Sequence, residues 1–113
     1  MRRSESRFAS PAVELNAKQL GSAVRAARLA RNSTQEAMAA RARMGVLTWL
    51  KIERGEPGVA MGAWLSALEQ TGLLDRLVAL SSPQADPVGE QLRKDQLRKR
   101  ARPGRDADVN FDF

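Results

Sequence analysis

The chain has 113 residues, 42% of them apolar, and a formal net charge of +6 with an isoelectric point near 11.0. That length supports one domain with a tail, and the basic balance favours an acidic partner, nucleic acid being the commonest. Cysteine, histidine and tyrosine are absent, which removes disulfides, thiolates, Cys-based metal sites and the usual general base, so neither an enzyme nor a cofactor is expected.

In chain order, residues 1–15 are weakly patterned and are expected to form a flexible arm, with Ser10-Pro11 as a turn. Met1–Ser6 has no apolar stretch behind its charges, so no secretory signal is read there. No apolar run approaches the roughly 18 residues of a membrane span. A cytoplasmic location is therefore expected. Asn16 is a plausible N-cap for a first helix over 17–31, with Leu20, Val24, Ala27 and Leu29 at helical spacing. Arg25, Arg28 and Arg31 form a drifting basic stripe, either a solvated face or a set of phosphate contacts.

Asn32-Ser33 interrupts this pattern. Ser33 and Glu36 have capping-box spacing for a second helix at about 34–42, with Thr34 as the alternative cap. Met38 and Ala39 should face inward. Gly45 permits a sharp or left-handed turn. A third helix, 46–54, sets Trp49 and Ile52 on one face, and Gly55 stops it as the C′ residue. Glu56-Pro57-Gly58 makes a loop. A fourth helix at about 60–71 carries Trp64, Leu65 and Leu68 inward and ends at Gly72. A short fifth, 73–80, shows Leu73, Leu74, Leu77, Val78 and Leu80. The domain is thus expected over 16–80, and Ser81–Pro87 reads as a linker into a tail, 81–113.

Residues 34–55 have the layout of a helix-turn-helix, whose second helix enters the DNA major groove. Gln35, just past the cap, sits where free N–H groups meet a phosphate, and it can also reach a base edge. Val46, Leu47 and Lys51 would face the bases, with Thr48 and Arg54 close enough for backbone contacts.

Residues 20–73 resemble the Cro/repressor-type, or XRE-like, helix-turn-helix family. Leu20-Gly21, Arg28, Thr34-Gln35-Glu36, Ala39, Ile52-Glu53-Arg54-Gly55 and Leu73 carry the resemblance. It implies an all-α, five-helix, lambda-repressor-like domain, and composition adds a basic C-terminal tail expected to be partly disordered. The resemblance also implies DNA contact at Gln35, Val46, Leu47 and Lys51, and Thr34, Arg43, Gly45, Thr48 and Arg54 around them are further candidate DNA contacts. Two positions depart from the family: Arg43 stands where it usually has Gly, and Ser33 where it has an apolar residue. Val46 and Leu47 replace polar readers, so few direct base hydrogen bonds are expected.

The stretch Val59-Ala60-Met61-Gly62, with Asp86-Pro87-Val88-Gly89 and Leu97–Arg100, is similar to HipB-like antitoxins. That likeness implies a homodimer that represses its own operon at a palindromic operator and holds a HipA-like kinase toxin. Two alternatives stay open: a stand-alone repressor, and a protein-interaction module that has lost DNA reading. The tail has three readings: a disordered solubilising segment, a basic arm on phosphates, or a docking segment anchored by Phe111 and Phe113.

Overall fold

The structure is a computed structural model that describes residues 8–101. The described residues are all-α and hold no strand. Six α-helices follow in order: α1 (Pro11–Ala30), α2 (Gln35–Arg41), α3 (Val46–Glu53), α4 (Met61–Gln70), α5 (Leu74–Leu77) and α6 (Pro87–Arg100). Two short 3-10 turns, Val78–Ser81 and Pro83–Ala85, lie between α5 and α6. The chain divides into two compact units at Leu77/Val78.

In the first unit, α3 packs against α1, α2 and α4, while α2 also meets α4, and α4 meets α5. The core forms where these helices meet: Val24 from α1, Met38 and Ala39 from α2, Ala42, Trp49 and Ile52 from α3, and Ala67 and Leu68 from α4. Val24, Met38, Trp49 and Ile52 are fully buried, and each aliphatic one contributes about 1.5–3 kcal/mol by leaving water. Trp64, Leu65, Leu73, Leu74 and Leu77 pack half-buried against this core.

Helix α1 starts six residues earlier than its sequence pattern suggests. Ser10, not Asn16, is its N-cap, accepting the Val13 N–H at 3.2 Å, and Pro11 opens the helix. A Pro in the first turn loses no helical hydrogen bond, so Ser-Pro here is a start and not a free turn. Asn16 instead sits inside the helix and donates to the Ala12 carbonyl. Residues 11–15, expected in a flexible arm, are therefore helical. Of the apolar positions at helical spacing, Val24 is buried, while Leu29 is 46% exposed.

Thr34, not Ser33, caps α2, its Oγ1 accepting the Ala37 N–H at 3.0 Å. With the cap moved by one residue, Glu36 no longer holds the capping-box position. The last expected helix is also shorter. Its regular α form stops at Leu77, and Val78 and Leu80 are exposed.

Two close approaches set how α1 meets the end of α3. A Cβ at Gly21 would lie 2.8 Å from the Gly55 nitrogen and 2.9 Å from the Glu53 carbonyl oxygen. Gly55, at φ 76°, ends α3 in the left-handed region and presses on the backbone of Ala17 and Lys18. Only glycines permit backbones this close.

The second unit differs. Helix α6 lies within the expected tail and buries no residue. It is held by local chemistry: the Asp86 side chain caps the Gly89 N–H, Pro87 opens the helix, Glu90 sits in the first turn and Arg98, Lys99 and Arg100 in the last. Each complements the helix dipole. Phe111 and Phe113 lie outside the described residues.

Candidate functional site

The site is built around one carboxylate. Glu53, at the last position of α3, accepts four hydrogen bonds from three side chains. Arg28 of α1 donates Nε at 2.6 Å and Nη2 at 3.2 Å. Trp49, one turn back, donates its indole Nε1 at 2.6 Å, and Gln35 at the start of α2 donates Nε2 at 3.0 Å. A third Arg28 donor, Nη1, reaches the Ser33 carbonyl at 2.9 Å. The pair is nearly dry, with side-chain exposures of 9% for Arg28 and 4% for Glu53.

Burial pushes the Glu53 carboxyl up, but the hydrogen bonds from Arg28, Gln35 and Trp49, with the Arg28 charge, hold it below the ordinary carboxylate value. The hydrogen bond to Glu53 likewise raises Arg28, against its own desolvation. Both groups are therefore charged at neutral pH. Their geometry ties α1, the entry of α2 and the end of α3 to one point. The arginine stripe of α1 thus divides: Arg28 is an internal brace, while Arg25 and Arg31 are exposed.

The turn Ala42–Gly45 carries its strain on Arg43, the residue that stands where the resembled family has glycine. Arg43 adopts φ 60°, while Gly45 is extended at φ −72°, ψ 156° and serves as the N-cap of α3. Gly45 does not absorb the left-handed turn. Ala42 closes α2 and Met44 hydrogen-bonds back to Ala39, so the reversal falls between them, on Arg43.

The remaining site residues sort by which side of α3 they occupy. Trp49 and Ile52 face the core, and Val46 packs half-buried against it, so Val46 belongs partly to the inner face. Leu47 is 69% exposed. Lys51 follows it one turn on, and Thr48 and Lys51 line a recess of about 220 Å³ with Glu56, Gly58 and Ala60. Arg54 is exposed and lies 3.7 Å from Glu56, a solvated pair of small energetic weight. Gln35 is half-buried with its amide nitrogen committed to Glu53. Thr34 is exposed, with its hydroxyl engaged as the α2 cap.

The structure therefore brings Leu47, Thr48 and Lys51 to the outer side of α3, with Arg43 and Arg54 exposed just beyond its two ends. It assigns Thr34, Gln35 and Val46 structural duties as well. The role of Glu53 escapes a reading by spacing, because two of its three partners, Arg28 and Gln35, stand 25 and 18 positions away.

A separate apolar groove of about 460 Å³ runs beside α1 and α4, lined by Leu20, Val59, Met61, Trp64, Leu65 and Leu77 among others. Met61, on its rim, is 74% exposed. No group of three or more His, Cys, Asp or Glu side chains that could hold a metal occurs among the described residues. No helix among them is long and apolar enough to cross a membrane. No family model, curated protein or solved structure matches the chain.

Proposed function

We propose that α2, the Ala42–Gly45 turn and α3 form a DNA-binding helix-turn-helix and that the protein is a sequence-specific transcriptional repressor. The observation that carries this reading is the outer side of α3. The helix is fixed from behind by Trp49, Ile52 and Glu53, which leaves Leu47 exposed and Lys51 half-buried with no ion-pair partner among the described residues, and cations beyond both ends. A rigid, short helix with an uncommitted basic face is what a major groove accepts. Lys51 is the base-edge or phosphate donor, and Leu47 can touch only apolar base groups such as thymine methyls.

Gln35 contributes through its carbonyl or its second amide N–H, since one N–H is engaged by Glu53. Thr34 and the start of α2 offer backbone N–H groups to the same strand. Base hydrogen bonds are few, so DNA shape and half-site spacing supply the rest of the specificity. A homodimer on a palindrome meets that need. The antitoxin role, with a HipA-like kinase as partner, rests on the resemblance of Val59–Gly62 and of the basic tail. In that stretch Val59 packs on the core and Ala60 is the α4 N-cap, so Met61 is its exposed side chain with reach.

The test is a titration of the full chain against the DNA upstream of its own gene, beside Lys51→Ala. Lys51→Ala should weaken binding and relax site preference. Unchanged affinity together with unchanged preference overturns the assignment. Sedimentation at micromolar concentration checks the dimer, and a stable monomer overturns it.

A further inference from the structure

Helix α6 carries more charged side chains than any other element among the described residues. It carries five cations (Arg93, Lys94, Arg98, Lys99, Arg100) against two carboxylates (Glu90, Asp95). The carboxylates are each engaged within the helix: Arg93 lies 3.8 Å from Glu90, and Arg98 lies 2.8 Å from Asp95. Among the described residues, Lys94, Lys99 and Arg100 have no ion-pair partner. No residue of α6 is buried, so its sequence serves no core.

We infer that α6 is a second, sequence-independent contact to nucleic acid, binding the phosphate backbone of duplex DNA through Lys94, Lys99 and Arg100. Three features select this partner. Five cations against two carboxylates give α6 an extended positive field, which suits a duplex better than one carboxylate cluster, and since Lys94, Lys99 and Arg100 leave the helix on different sides, their long side chains bend toward the phosphates. The roughly 9 Å from Lys94 to Arg100 runs alongside several duplex charges, spaced about 1.7 Å apart along the axis. A membrane surface fits poorly. Val88, Leu92 and Leu97 share no face, since the step from Leu92 to Leu97 turns the helix by about 140°, and surface-seeking helices need one apolar side. Helix α6 is also preset for such a contact by its Asp86 cap, so less ordering cost falls on binding. The choice of duplex DNA rests on the reading of α2–α3 given above.

The experiment measures affinity of the full chain for its upstream duplex and for a scrambled duplex, from about 50 to 200 mM salt. Three proteins are compared: the wild type, Lys94→Gln/Lys99→Gln/Arg100→Gln, and Glu90→Gln/Asp95→Asn. Removing three phosphate contacts should make the log–log salt slope shallower by about 2.7. Over that salt range the wild type should then lose about 40-fold more affinity than the triple variant, equally on both duplexes. Glu90→Gln/Asp95→Asn frees Arg93 and Arg98 and should steepen the slope. Gln is a good helix former and Asn is no worse than the Asp it replaces, and circular dichroism checks that the helix persists.

A wild type that binds DNA with the same slope as the triple variant overturns the proposal. So does a wild type that binds phosphatidylserine vesicles more tightly than duplex at equal salt. If Leu47→Ala/Lys51→Ala leaves binding intact while the triple variant lowers the slope, the α6 contact stands and the α3 reading falls. Failure of the wild type to bind any duplex overturns both.

Discussion

Helices α1 and α6 are both long, both capped by a short polar side chain before a proline, and both basic, yet they hold their shape for opposite reasons. Helix α1 buries Gly21, Val24 and Arg28 and is tied to α3 through Glu53. Helix α6 buries nothing and depends on its cap, its dipole complement and two exposed ion pairs. An isolated helix of that length is marginal in water. The first helix is thus part of a cooperative unit, while the second is a local equilibrium. Charge on α1 has been drawn inward to build; charge on α6 has been left outward.

The sharpest way to break this contrast is Glu53→Ala. It strands the Arg28 guanidinium in a nearly dry site, and removing one partner of a buried pair costs about 3–5 kcal/mol. Denaturant unfolding followed by tryptophan fluorescence should show that loss, and a loss below 1 kcal/mol would mean that the brace carries little. Next comes Gly21→Ala, whose methyl meets the Gly55 nitrogen and the Glu53 carbonyl. Because backbone must yield, destabilisation of about 1–3 kcal/mol is expected in the same assay.

Acid tests the same carboxylate. Its folded pKa lies below its unfolded value, so its contribution is complete above about pH 4.3 and fades as pH falls through the folded value. The unfolding free energy of the wild type should therefore drop in that window. Glu53→Gln, weaker at neutral pH, should be flatter there, and parallel curves would refute the linkage.

Arg43→Gly probes the turn. Arg43 holds φ 60°, and glycine relieves a left-handed cost of about 1 kcal/mol, so a rise in stability is expected. Asn32→Gly, at φ 51°, should change little, because asparagine tolerates that region. The smallest global effect belongs to Asp86→Ala. It should fray α6 and reduce helical circular dichroism, while the unfolding midpoint seen by Trp49 stays fixed. A moved midpoint would show that α6 belongs to the cooperative unit after all.

These two helices also mark what a sequence discloses. The inward face of α3 was legible in Trp49 and Ile52, and the stop at Gly55 in its position after Ile52-Glu53-Arg54, because periodicity and C-cap chemistry are local. The start of α1 is equally local, but Ser10-Pro11 signals both a turn and an N-terminus, and the structure uses the second. The polarity of α6 argues against a core and so hides the helix. That argument was sound, but helix and core are separable, and Asp86-Pro87 carried the start signal. The role of Arg28 was out of reach, as nothing in a stripe of arginines says which one is turned inward to meet Glu53. The same holds for Gln35, since nothing near it in sequence shows that its amide donates to a carboxylate eighteen positions away.

The shared carboxylate has a spectroscopic corollary. Gln35 at the edge and the Trp49 indole in the interior donate to the two oxygens of one group. Anything that draws the Gln35 amide outward shifts electron density toward the bond with the indole N–H. Emission from Trp49 and the chemical shift of its Nε1 proton would then register an event at the start of α2 without any label. The protein carries its own optical readout of whatever occupies that edge.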